Sequence, residues 1–166
     1  MNIKLKFFKE VIVLKTYYLS NLYEKDKAAN ELIEFLENQF KETDGSIYYA
    51  FPIIKEMDMP EIFPNVFFIS NEYGIYAFVC DEITENRDKC LERIKEKCTT
   101  LDSQIYSKLI KNKKLCKTPR QLKLNFEVKM YLPNFSNYAI DEENMFTSKK
   151  EIVRYIKENK DEFANA

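Results

Sequence analysis

The chain has no histidine and no tryptophan, and only two glycines and five prolines in 166 residues. Without histidine there is no Ser-His-Asp triad, no Cys-His pair and no His-liganded zinc. Any acid–base chemistry must use carboxylates, lysine, tyrosine or cysteine. Two glycines supply neither a G-x-x-x-x-G-K-[ST] phosphate loop nor a G-x-G-x-x-G dinucleotide turn, and they leave no room for flexible linkers. No run reaches the roughly 18 apolar residues that a membrane span needs. The opening MNIKLKFFKEVIVLK carries charges through its apolar stretch and has no small-residue cleavage site. No membrane contact and a cytoplasmic location are expected. The four cysteines, Cys80, Cys90, Cys98 and Cys116, form no C-x-x-C pair. They read as free thiols in a reducing compartment.

What the chain does have is a core's worth of apolar residues. Hydrophobic residues make up 45% and aromatic residues 14%, enough for one packed domain of this length. The net charge of −1 neither draws in nor repels nucleic acid globally, so any such binding must come from a local patch.

Val11–Leu14 is a short strand or a helical turn; periodicity does not separate the two. Ala28, Ala29, Leu32, Ile33, Leu36 and Phe40 recur at helical steps, predicting a helix over 24–40 that stops near Gly45. Ser46–Ile54 reads as a strand containing Pro52, which argues for an edge position or a bend. Asn65–Ser70 and Ile75–Cys80 read as a hairpin around Asn71-Glu72-Tyr73-Gly74. Both of its strands are apolar on both faces, as in a strand covered on two sides. A long helix follows over 85–111, with an apolar stripe from Leu91 and Ile94 through Cys98, Leu101 and Ile105 to Leu109. Asn125–Leu132 alternates, with Phe126, Val128 and Met130 on one face and Glu127, Lys129 and Tyr131 on the other. A last helix over 147–163 opens with Glu151 at capping-box distance from Ser148. A meander followed by a helical crossover to a fourth strand implies an α/β fold, a mixed sheet flanked by helices. One domain spans 1–166, with a core over about 24–138 and a helical extension over 139–166.

The order α-β-β-β-α-β, with an apolar hairpin at its centre, resembles the PD-(D/E)XK nuclease fold, also called restriction-endonuclease-like. The segment Pro64-Asn65-Val66-Phe67-Phe68-Ile69, the turn at Gly74-Ile75 and the strand closing on Val79-Cys80-Asp81 are similar to the nuclease-related domain. They are also similar to the module at the amino end of some bacterial superfamily I DNA helicases. The resemblance covers roughly residues 24–138. In that family an acid follows the proline, and an acid-x-Lys closes the next strand. Two carboxylates hold Mg²⁺ and the lysine positions the attacking water.

Carried onto this chain, the acid position falls on Asn65, the second acid on Val79 and the lysine on Asp81. A register shifted by two puts Asp81 at the second acid but Ile83 at the lysine. Neither rebuilds the site, so the resemblance implies a nuclease-like module with no catalytic residues and no cofactor. An ATPase core, as in the helicases, would lie beyond Ala166. Glu31 or Glu34 on the first helix, with Asp81 and Glu82, are the carboxylates available for a displaced metal site; a solvated helix face is the other reading of them.

From Lys108 to Lys129 the chain holds eight cations, Lys108, Lys111, Lys113, Lys114, Lys117, Arg120, Lys123 and Lys129, against the single acid Glu127. This is either a phosphate-contacting patch, centred on Lys108–Arg120, or a solvated loop. Tyr48, Tyr49 and Tyr76 read as core, and Tyr17, Tyr18 and Tyr23 as a partner surface. The expected role is a catalytically silent module that binds or orients DNA, or docks a helicase core or another protein. The rivals are a protein-interaction domain without nucleic-acid contact and an active nuclease with a migrated site.

Overall fold

The structure, a computed structural model, describes residues 13–52, 62–135 and 143–159. The reading of Val11–Leu14 falls partly outside these residues, as do the ends of the predicted second strand and last helix. The fold is α/β, a six-stranded mixed sheet with helices on both faces. In chain order its elements are β1 (Lys15–Tyr18), a 3-10 turn (Asn21–Lys25), α1 (Lys27–Gln39), β2 (Gly45–Tyr49), β3 (Val66–Ser70) and β4 (Gly74–Cys80). Then come α2 (Arg87–Leu109), a 3-10 turn (Lys113–Leu115), the small hairpin β5 (Cys116–Thr118) and β6 (Gln121–Leu122), β7 (Phe126–Tyr131), a 3-10 turn (Pro133–Phe135), β8 (Met145–Phe146) and α3 (Lys149–Glu158). The sheet order is β1-β2-β3-β4-β7-β8. Only β3 runs against the other strands.

The two-sided apolar pattern of the central hairpin builds two cores. Val66 and Phe68 of β3, with Tyr76 and Phe78 of β4, face α1 and α3, where Leu32, Ile33, Leu36, Ile152 and Ile156 are buried. Phe67, Ile75, Ala77 and Val79 face the opposite way, onto Leu91, Ile94, Leu101 and Ile105 of α2. Every residue of β4 is buried. This three-layer packing is what a continuous apolar strand requires. Residues 143–159 belong to the same body: β8 pairs with β7, and Ile152, Val153 and Ile156 fill the α1-side core.

Several sequence expectations shift. β2 ends at Tyr49, short of the predicted strand. Ala50 takes φ +58, the left-handed region, and turns the chain before Pro52. β2 is also not an edge strand, because β1 pairs with it in parallel and takes the edge. Gly45 opens β2 and does not cap α1, which closes at Phe40. Ser148 stands at the N-cap of α3, but its side chain makes no capping hydrogen bond, so the predicted capping box does not form. Lys129 is buried at 4% exposure. Its Nζ lies 3.0 Å from Asn144 Oδ1 and 3.3 Å from Glu127 Oε1, and 4.7 Å above the Tyr155 ring. It therefore does not belong to the basic patch.

The turn between β3 and β4 rests on Gly74, at φ +101. A Cβ there would sit 2.5 Å from the Asn125 carbonyl oxygen, a backbone atom at the start of β7. Gly74→Ala is expected to cost about 2–4 kcal/mol in urea unfolding, from strain and forced movement of β7. A loss under about 0.5 kcal/mol would show that the turn does not fix this register.

Candidate functional site

Ligands of open α/β sheets bind outside the carboxyl ends of the strands. In this chain the carboxyl ends of β1, β2, β4 and β7, together with the start of β3, share one end of the sheet. A cavity of about 480 Å³ opens there, with Asp26, Tyr49, Asn65, Asp81, Glu82 and Lys97 among its walls.

Asp26 is its hub. It is the N-cap of α1, and its Oδ1 accepts from the Ala29 amide at 3.3 Å. Its Oδ2 accepts from the Tyr49 hydroxyl at 2.9 Å and from Asn65 Nδ2 at 2.7 Å. Asn65 Oδ1 in turn accepts from the Cys80 amide at 2.9 Å. One chain of hydrogen bonds thus ties the start of α1 to the end of β2, the start of β3 and the end of β4.

The charges around it are uneven. Burial, and then the hydrogen bond to Asp26, push the Tyr49 phenol well above its usual range. Burial and the Asp26 charge raise the Asp81 carboxyl, while Lys97 and Arg93 pull it back. Burial lowers the Lys97 ammonium, and Cys98, Cys80, Asp81 and Asp26 partly offset that. Lys97 reaches the cavity from α2, with Nζ 5.6 Å from the Phe63 ring centroid. Burial raises both thiols near it, that of Cys98 to about 12. All four cysteines are free.

The structure sorts the sequence candidates. Asn65 and Asp81 meet at this cavity. Val79 is buried in the α2-side core and does not line it. Glu82 lies at 4.0 Å from Lys27, a solvent-exposed pair. Glu31 and Glu34 line a different depression, beside Lys149. Among the described residues no group of three or more Asp, Glu or Cys side chains is placed to hold a metal ion. Asn65 and Asp26 also do not fit a divalent cation. The Asn65 oxygen is taken by the Cys80 amide, and Asp26 already accepts three donors of the roughly four that a carboxylate can take.

Sequence reasoning missed Asp26, Tyr49 and Lys97 as members of this site. Asp26 had a readable signal, an Asp directly before an apolar-periodic helix. Lys97 had one too. It lies three residues after Ile94 and four before Leu101, on the buried stripe of α2.

The cations lie elsewhere. α2 runs back along the sheet for about 35 Å. Lys108, Lys111, Lys113, Lys114, Lys117 and Arg120 follow its last turns into the β5–β6 hairpin, beside the start of β7 and all exposed. Patch and cavity therefore stand at opposite ends of the strands. Of the predicted partner-surface tyrosines, Tyr17 and Tyr18 are exposed on β1, Tyr17 stacked on Tyr48 at 5.2 Å and Tyr18 tilted against Tyr23 at 4.4 Å between centroids. Tyr48, Tyr49 and Tyr76 are buried or half-buried as expected. No described helix is long and apolar enough to cross a membrane.

No family model, curated protein or solved structure matches the chain. The fold and site define an α/β protein whose sheet end carries a hydrogen-bonded carboxylate hub and whose opposite end carries a cationic hairpin.

Asn65→Asp replaces a donor with a second carboxylate at hydrogen-bond distance from Asp26. It is expected to cost about 2 kcal/mol or more at pH 7.5. The crowded pair binds a proton more tightly folded than unfolded, so its pKa is raised on folding. Stability should therefore recover as pH falls through that raised value toward 4.5. Asn65→Ala should cost about 1–3 kcal/mol at both pH values, by leaving the Cys80 amide unpaired. Urea unfolding of both variants at the two pH values measures this. An equal loss for Asn65→Asp at both would argue against the Asp26 contact.

Proposed function

We propose that the chain is a catalytically silent, nuclease-like module that binds nucleic acid through its cationic hairpin. The order α1-β2-β3-β4-α2-β7, a meander followed by a helical crossover to a parallel strand, supports the restriction-endonuclease-like reading. The observation that carries the silent reading is the hydrogen-bonded bracket through Asn65. The position that would present a metal-binding oxygen spends it on the Cys80 amide. Asp81, Glu82 and Lys97 remain in the cavity, but Glu82 leans to Lys27, Asp26 is taken up by three donors, and no group of three acids or thiols among the described residues is placed to hold a metal ion, which argues against a metal-dependent hydrolytic centre. Lys108, Lys111, Lys113, Lys114, Lys117 and Arg120 supply a sequence-independent phosphate contact at the far end. In this reading the module works as an accessory to a catalytic partner, such as a helicase core.

A second reading, docking of a protein partner without nucleic-acid contact, has one observation in its favour. Val13, Tyr17, Tyr18, Leu19 and Leu22 are 42–60% exposed around the edge strand β1.

Incubation with plasmid and linear DNA in Mg²⁺ or Mn²⁺ is expected to give no cleavage. Cleavage that disappears in Asp81→Ala would overturn the silent reading. Titration of DNA at rising salt should show a linear log–log loss of affinity. The variant carrying Lys111→Glu, Lys113→Glu, Lys114→Glu and Lys117→Glu should flatten that slope by about 0.9 for each phosphate contact removed. No binding even at low salt would favour the protein-docking reading.

A further inference from the structure

The cationic end holds more than charge. Tyr106, in the last turns of α2, is 39% exposed, an unusual place for a large ring. Its hydroxyl donates to the Arg120 carbonyl at 2.6 Å, across to the turn of the β5–β6 hairpin. The ring is thus pinned between helix and hairpin while one part stays open to solvent. Beside it lies a cavity of about 380 Å³, with Leu122, Leu124 and Phe126 as apolar wall and Lys117 and Arg120 at its polar side. That volume is in the range of small-ligand pockets, about 300–1,000 Å³. Between Asp102 and Glu127 the chain has no acid and seven cations. Neither Lys117 nor Arg120 makes an ion pair among the described residues.

We propose that this pocket is a base-stacking subsite for single-stranded nucleic acid, with Tyr106 as its platform and Lys117 and Arg120 as the phosphate contacts. The proposal rests on the nucleic-acid reading above and narrows its substrate class. A duplex keeps its bases stacked and offers this surface only phosphates, for which the lysines suffice. An aromatic ring held beside an apolar recess adds nothing to a phosphate contact. It matches a base that has left the stack, whose flat face it covers whatever the base's identity. Pinning the hydroxyl also means that little side-chain freedom is lost when the base arrives.

The test is fluorescence anisotropy with labelled dT12, U12 and a 12-base-pair duplex at low salt, on the whole chain. Tyr106→Ala should weaken dT12 or U12 binding by about tenfold and change duplex binding less than about twofold. The arm that shows the larger loss identifies DNA or RNA as the preferred strand. Tyr106→Phe keeps the ring and should stay within about threefold of the parent, which separates stacking from loss of the hydroxyl contact. Unchanged single-strand binding in Tyr106→Ala, or equal loss on single strand and duplex, overturns the subsite. If the four-lysine variant loses all three ligands in that case, the nucleic-acid reading stands without the pocket. If the parent chain binds none of them, both fall.

Discussion

The carboxylate of Asp26 is the constraint on which the carboxyl end of this sheet depends. A half-buried carboxylate with three donors is a strong organiser, because each bond to an ionised acceptor is shorter and stronger than a neutral one. Its donors come from three separate segments, α1, β2 and the residue before β3. Asn65 relays the connection to a fourth, the end of β4. The sheet is held through its middle by apolar packing, but its carboxyl ends carry backbone groups that packing alone does not satisfy. The Cys80 amide is one of these, and Asn65 satisfies it. The left-handed Ala50, whose amide bonds to the Asn65 carbonyl at 3.2 Å, is held in place by the same residue.

That arrangement bears directly on chemistry. A metal site needs carboxylate oxygens that are oriented yet free, whereas the bracket needs them engaged. The same positions cannot serve both purposes at once. The Asn65 side chain supplies what a carboxylate cannot, an N–H to give to Asp26. Lys97 fits this picture as a desolvated cation that moderates the charge of Asp26 and Asp81. Its position lends electrostatic balance to a pocket that would otherwise gather negative charge alone.

How far this could be read from the sequence differs by element. The hairpin was legible because unbroken apolar runs around a glycine turn have few other solutions. The stripe of α2 was legible because it repeats from Leu91 to Leu109, about five turns. The strand β1 was not, since four residues of which three are exposed and one half-buried carry no burial pattern. The end of β2 was hidden because an alanine at positive φ leaves no compositional trace. Lys97 was missed although it sits on the apolar period of α2, and that period is a better guide to burial than the charge. Lys129 stands on the polar phase of β7 with Glu127 and Tyr131, so no such signal marked its burial. Lys129 tolerates burial because Glu127, Asn144 and the Tyr155 ring surround it. The hub at Asp26 depends on Tyr49 and Asn65, which lie 23 and 39 residues away, and contacts at that separation leave no local pattern.

The net charge of −1 does not count against a polyanion partner once the charges are placed. The acids of α2 end at Asp102, and the chain past that point is purely cationic until Glu127. Screening at physiological ionic strength acts over about 8 Å, while α2 alone spans about 35 Å. The carboxylates at the Asp26 end are thus several screening lengths from the hairpin and do not cancel its field. Part of the cationic character has a structural origin, since Lys108 complements the partial negative charge at the end of α2. That accounts for one residue. Lys113, Lys114, Lys117 and Arg120 lie beyond the helix, in the 3-10 turn and the short hairpin that follow it, where the end of the helix does not account for them and clustered like charge costs stability.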